Sequence, residues 1–339
     1  MKIEKFTLTR HDDFMEGWPD VVRCKNGDIL VFYNECNGHL DRDHSFITVR
    51  KSRDNGVTWS EKMHIGGETS HGKHWNSIRA SVMSDGRVVL VCDKMDGDGL
   101  SAEACHTCRI YMWESFDNGE TFVNERNTEI VGFCSDKVRE LSDGSLMLLV
   151  SLKNLENGCF EVHSYKSLDG GKIWQYKCRA AGRDGYNFIE PNSIELSDGR
   201  IVAFLREDSK KNFNGFAVIS KDKGETFGGI FEIPVPGMHR PFVDRLRDGR
   251  LLLSYREYLD GRYPYLKMCF FNECDIAVAS CFDICTVDKD GSDNVDQGYS
   301  AWIQNGENEI LMVNYITDDA PKPYIRGYRI TLLEEKESQ

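Results

Sequence analysis

Short apolar runs, each opened by a polar turn carrying glycine, recur along the whole 339-residue chain. The runs are Ile29 to Phe32 after Asn26-Gly27-Asp28, Val88 to Val91 after Ser84-Asp85-Gly86, and Leu146 to Leu149 after Ser142-Asp143-Gly144. They continue with Ile201 to Phe204 after Ser197-Asp198-Gly199, Leu251 to Leu253 after Arg247-Asp248-Gly249, and Ile310 to Val313 after Asn305-Gly306. From Gly27 through Gly86, Gly144, Gly199, Gly249 and Gly306 the steps are 59, 58, 55, 50 and 57 residues. Asp-Gly between two apolar segments signals a tight hairpin, because its turn needs residues that tolerate positive φ. Long amphipathic helical patterns are absent, and a repeat of this length suits a four-stranded blade. The last unit is one strand short, with runs at Tyr299 to Gln304, Ile310 to Ile316 and Tyr324 to Leu333. Lys2 to Arg10, where Ile3, Phe6 and Leu8 punctuate polar residues, supplies the missing outer strand. The predicted fold is therefore all-β: one domain over residues 1–339, a six-bladed β-propeller of four-stranded antiparallel blades, closed by the N-terminal strand.

Composition narrows the function. A net charge of -13 argues against nucleic acid, whose phosphates need a basic face. It leaves room for a small anionic ligand, since charges beyond about 10 Å are screened and a local arginine cluster can dominate a pocket. No apolar run is long enough for a signal peptide or a membrane span, which predicts a cytoplasmic, non-membrane protein. The 12 cysteines fit a reducing compartment. Cys105-His106-Thr107-Cys108 has the spacing of a metal or redox pair, with Cys269, Cys274, Cys281 and Cys285 as candidate distant partners. No second Cys-x-x-Cys completes it, so the thiols are read as buried or loop side chains, with no metal and no cofactor.

A second element recurs out of phase with the first: Ser52 to Trp59, Ser115 to Phe122, Ser167 to Trp174 and Ser220 to Phe227, all close to Ser-x-Asp-x-Gly-x-Thr-aromatic. Ser and Asp side chains can cap backbone N–H groups, Gly supplies a left-handed residue, and the aromatic packs between sheets. These four Asp-boxes on a six-unit frame resemble the sialidase (neuraminidase) superfamily along essentially the whole chain. The resemblance places the boxes away from the active site, so Asp54, Asp117, Asp169 and Asp222 are expected to be structural.

The same resemblance implies a site built from the starts of inner strands and the ends of second strands. Glu190-Pro191 followed by the Asp198-Gly199 turn and Arg206 is similar to the stretch that carries the nucleophile's base and a carboxylate-binding arginine. Gly298-Tyr299-Ser300 is similar to the motif around the nucleophilic tyrosine. A sialic acid bears its carboxylate on the anomeric carbon, so a neutral phenol attacks where a carboxylate would meet like charge. Blade five repeats the plan: Arg240 lies nine residues before its turn glycine, as Glu190 does, and Arg256 lies seven after, as Arg206 does. Arg262 is a further candidate for the substrate clamp.

The chain departs from the family in two places. Gly17-Trp18-Pro19-Asp20 stands where blade one should offer the first clamp arginine, and Trp75-Asn76-Ser77-Ile78 where blade two should offer an aspartate acid/base. Replacement acids are Asp43 and Asp20, with Asp93 as a further ligand-contacting candidate. Trp18 and Trp75 could form a stacking platform for a sugar ring. The bland alternatives are a plain ion pair of Glu190 with Arg206, ion pairs of Arg240 and Arg256 with Asp244 and Glu257, a core role for Tyr299, and tryptophans packed between blades. The expected function is an exo-glycosidase of sialidase type. It would act on an oligosaccharide or acidic monosaccharide glycoside, with Tyr299 as nucleophile, Glu190 as its base, and Arg206, Arg240 and Arg256 binding the carboxylate. A sialidase-fold glycosidase or lyase on another sugar, and a carbohydrate-binding propeller without catalysis, are the alternatives.

Overall fold

The computed structural model describes residues 1–39, 44–69, 72–96, 102–211, 213–278 and 282–332. Its strands form six sheets of four antiparallel strands, five of them ordered sequentially from inner to outer strand. The inner strands are Met15–Arg23, Lys73–Val82, Arg139–Glu140, Phe188–Glu195, Met238–Arg245 and Gly298–Gln304. In blade six the outermost strand is Lys2–Thr9, paired with Tyr324–Thr331 in the register Lys2↔Thr331 to Thr9↔Ile325. The six-bladed ring closed by the first strand is thus present as the repeat predicts. Two short helices, Ala102–Thr107 and Asp275–Val278, interrupt the strands.

Each second strand is buried on both faces, as in Ile29–Cys36 and Ile201–Glu207, because neighbouring blades cover it from either side. The core therefore lies between blades: Phe32 of blade one meets Phe122 of blade two edge-on at 5.7 Å. Trp75 belongs here too. Its ring packs on Trp113 at 5.2 Å and its Nε1 donates to the Gly67 carbonyl, so it is inter-blade core and no sugar platform.

Strand direction separates the two ends of the ring. Inner strands run towards the Asp-Gly turns, second strands run back, and third strands run down again into the Asp-boxes. The boxes therefore share the turn end, opposite the inner-strand starts. In the second box Ser115 Oγ donates to Asp117 at 2.8 Å and accepts from Gly119 N at 2.8 Å, while Thr121 N donates to Asp117 at 2.9 Å. The other three boxes repeat these bonds.

Asp20 and Asp93 are structural. Asp20 is fully buried, accepts from Ala80 N of the next blade at 2.9 Å, and has Lys137 Nζ at 3.4 Å. Asp136 and Asn192 make the corresponding link from their blades to Ser193 N and Val243 N, each at 2.7 Å. Asp93 accepts from Asn76 Nδ2 at 2.7 Å and Ser77 N at 3.2 Å inside blade two, and burial pushes its carboxyl up. Both residues are removed from the candidate site: a buried, fully engaged carboxylate cannot meet a leaving group. Asp43 lies outside the described residues. Cys105 and Cys108 are buried beside Met95 and Phe133, and among the described residues no three His, Cys, Asp or Glu gather as a metal site.

Candidate active site

Four of the inner strands carry a β-bulge at which one residue adopts left-handed backbone: Trp18 (φ 54°), Glu190 (φ 50°), Arg240 (φ 53°) and Tyr299 (φ 55°). Such φ values are uncommon outside glycine and concentrate where the chain must re-aim a side chain. The surroundings hold the bulge: Glu190 N donates to Ser151 Oγ at 3.0 Å. The neighbouring Gly298 (φ 125°) is needed for a second reason, since a Cβ there would lie 2.4 Å from Arg256 Cδ.

These bulges bring Tyr299 and Glu190 together across the ring, the phenol donating to Glu190 Oε1. Glu190 Oε2 accepts from Arg206 Nη1 at 2.8 Å. Arg240 and Arg256 place their guanidinium carbons 4.8 and 5.2 Å from the Tyr299 ring centre. Of the bland pairings, that of Glu190 with Arg206 is made, while those of Arg240 and Arg256 are not: Glu257 pairs with Lys267 at 2.9 Å, and Asp244 has Arg139 at 3.9 Å. Trp18 packs edge-on against Tyr299 at 6.5 Å and against His39 at 5.3 Å.

Burial works against charge on Glu190, but the adjoining Arg206 and Arg256 outweigh it and hold the carboxyl below its usual range. Burial and the nearby Glu190 push the Tyr299 phenol well up, so it rests protonated and poised to hand its proton to an ionised carboxylate. This is the arrangement an activated nucleophile needs: the base within hydrogen-bond reach and itself oriented by a third group.

Arg262 does not join the cluster. It is exposed at the start of a third strand, and its neighbour Tyr263 takes the inward position. The Tyr263 hydroxyl accepts from Arg206 Nη2 at 3.2 Å and Lys210 Nζ at 2.7 Å, while Arg256 lies 4.1 Å over its ring. Burial raises the Tyr263 phenol, yet the charges of Arg206, Arg256 and Lys210 bring it below its ordinary value. Asp208, which accepts from Arg206 Nη2 and Lys210 Nζ at 2.6 Å each, completes this side.

Sequence reasoning missed Tyr263, Asp208, Lys210 and Arg79, whose guanidinium carbon is 5.5 Å from the Tyr299 ring centre. Only Arg79 left a signal. It is a charge between Ile78 and Ala80 in an inner strand, seven residues before its turn glycine, the offset shared by Asp20 and Asn192.

A buried phenol–carboxylate pair surrounded by arginines thus lies at the inner-strand end of a six-bladed propeller, with groups of the kind that acid–base or nucleophilic chemistry on an anion uses. A BNR repeat-like domain model matches residues 66–264, more than half of the chain, and the chain belongs to that family. Its propeller is of the sialidase type. It is 25% identical over 255 residues to a sialidase of Paraclostridium sordellii, an alignment covering 72% of this chain and 52% of that protein. The chain thus spans about half the length of that relative. Among solved structures, a protein of unknown function from Dyadobacter fermentans superposes with a TM-score of 0.79 at 21% identity, covering 98% of this chain and 99% of that one. The intramolecular trans-sialidase from Ruminococcus gnavus gives 0.74 at 14% identity, covering 98% of each chain. An α-L-arabinanase from Penicillium chrysogenum gives 0.70 at 14% identity, covering 98% and 99%. At these identities the structural likenesses speak to fold alone.

Proposed function

We propose that the chain is an exo-acting glycoside hydrolase that removes a terminal acidic sugar, a sialic acid or a related keto-sugar acid. Tyr299 attacks the anomeric carbon, Glu190 takes its proton, and Arg206, Arg240 and Arg256 bind the sugar's carboxylate. The observation that carries this reading is the Tyr299–Glu190 hydrogen bond enclosed by guanidinium groups. Arginine excess suits an anionic ligand, and a neutral nucleophile suits one whose charge sits at the reacting carbon. The sialidase relative supports the same class. Asp43 is the carboxylate we assign to protonating the leaving group.

The test is a panel of chromogenic glycosides including sialosides and uronides. The Tyr299→Phe protein should bind its ligand much as before while turning over at least about a hundredfold more slowly. Near-wild-type turnover by that variant would remove Tyr299 from the mechanism. Hydrolysis of uronides in preference to sialosides would favour a second reading, a non-sialic acidic sugar. That reading is motivated by Trp18, which stands where the family resemblance calls for an arginine.

A further inference from the structure

The site holds more positive charge than its carboxylates answer. Glu190 and Asp208 both lie against Arg206. Arg79, Arg240 and Arg256 are each at most 5% exposed, and among the described residues none has a carboxylate within 4.0 Å. A buried charge without a partner is costly, so each of the three should meet negative charge at some stage of function.

For Arg240 and Arg256, at the level of the bulges, a ligand carboxylate can supply that charge. Arg79 is placed differently. It sits two residues further along its inner strand than the bulge positions of the other blades, about 7 Å deeper at strand rise. At this level Asp20 and Asn192 use a side-chain oxygen to accept an N–H of the next blade. An arginine has no acceptor to offer and cannot make that link. Instead Arg79 donates to the Ile78 carbonyl and brings its guanidinium carbon to 5.5 Å from the Tyr299 ring centre. It comes from blade two, across the ring from the blade-five arginines.

We propose that Arg79 is a positioning residue for the nucleophile: a buried guanidinium beside Tyr299 that stabilises the phenolate during the reaction. The proposal rests on the reading of Tyr299 as nucleophile. When Tyr299 attacks, its oxygen bonds to the anomeric carbon, the phenolic proton passes to Glu190, and the bond to the leaving oxygen breaks as that oxygen takes the electron pair and a proton from the general acid. When water then attacks that carbon and gives a proton back to that acid, the Tyr299–carbon bond breaks, its electron pair returns to the phenol oxygen, and the phenol recovers its proton from Glu190. Phenolate character therefore develops on either side of the intermediate, next to a fixed positive charge. The other groups facing Tyr299 act in both directions. Glu190 of blade four and the Cys134 thiol of blade three oppose the phenolate, and Arg206, Arg240 and Arg256 favour it. Trp18 of blade one and Tyr315 of blade six pack on the ring without a charge.

The experiment needs no substrate. Protein containing 3,5-difluorotyrosine is titrated by 19F NMR, with the Tyr299 signal assigned by its loss in Tyr299→Phe. In Arg79→Met the midpoint of that signal should rise by about one pH unit or more, the size expected for losing an opposite charge at this range. Arg79→Lys should recover most of the change. An unaltered midpoint in Arg79→Met overturns the proposal, as does, where neither protein's signal titrates below pH 11, the absence of a glycosyl adduct on Tyr299 in Arg79→Met. With a 4-methylumbelliferyl sialoside, Arg79→Met should also accumulate a glycosyl adduct on Tyr299, seen by intact mass, with kcat and KM falling together. If Tyr299→Phe turned over normally, the reading of function would fail while the titration still reported on Arg79.

Discussion

At the scale of single residues, distance from the turn glycine sorts the inner-strand side chains of blades one, four and five, while Tyr299 and Arg79 reach the site from seven positions before theirs. Nine positions before the turn glycine, Trp18, Glu190 and Arg240 sit on left-handed bulges that aim them at the pocket. Seven positions before it, Asp20 and Asn192 point along the ring and join neighbouring inner strands. This predicts the behaviour of Asp20, which by residue type is as good a proton donor as any. Removing one partner of a buried pair typically costs about 3–5 kcal/mol, because Lys137 and the Ala80 N–H are left unanswered. In a chain of this size that corresponds to a melting temperature lower by on the order of 10 °C. Asp20→Ala should therefore melt early in a thermal scan, yet the molecules that remain folded should turn over a sialoside at near wild-type rate. A normal melting curve with turnover abolished would return Asp20 to the catalytic list.

At the scale of the element, the Asp-box is a turn whose carboxylate is tied to backbone and hydroxyl donors. Hydrogen bonds from Thr58 and Ser52 hold Asp54 down to about 2. Asp117 also lies at about 2, burial working against ionisation and the bonds from Thr121 and Ser115 outweighing it. A carboxylate depressed in the folded state contributes stability that is complete above its unfolded value, near 4, and is lost as pH falls towards the folded one. The melting temperature should thus drop between about pH 4 and 2, and the double variant Asp54→Asn, Asp117→Asn should flatten that drop. An equally steep fall in the variant would mean that other carboxylates set the acid limit. The boxes also join blades: a Cβ on Gly119 would lie 2.4 Å from Leu30 Cδ1, in the preceding blade. Elements of this kind were legible in the sequence because their bonds are local, Ser to Asp to Gly within a few residues. Glu190 and Tyr299 were legible through their motifs. Arg79, Tyr263 and Asp208 were not, because what makes them part of the site is the arrangement of whole blades around an axis. Trp75 was misplaced for a simpler reason: like Trp18 it stands near the start of an inner strand, but it lies eleven residues before its turn glycine where Trp18 lies nine before, and its ring packs on Trp113.

At the scale of the whole molecule, the ring holds the site together, since Tyr299 comes from blade six and Glu190 from blade four. Blade six is completed only by the strand Lys2–Thr9. Phe6 lies opposite Gly327, where even a Cβ would be 2.2 Å from its ring, so the closing strand is fitted to that spot. The same seam reaches blade five: Asp288 accepts from Arg326 Nη1 at 2.9 Å and from the Tyr328 hydroxyl at 2.8 Å, and Lys5 Nζ donates to it as well. Without the closing strand, the N–H and C=O groups of Tyr324–Thr331 would face solvent as an open edge, and blade six would be the first to loosen. Gly327→Val should force Phe6 off its seat with little direct effect on the other blades. We expect its unfolding to lose coincidence. Near-ultraviolet signals from Trp18 and Trp302, which pack around blade six, should fade at a lower temperature than the far-ultraviolet strand signal. Protection of Tyr299 by a bound acidic sugar should disappear with the first transition. A single sharp transition for all three signals would show that the closing strand acts only on global stability and that the Tyr299 strand keeps its place without it.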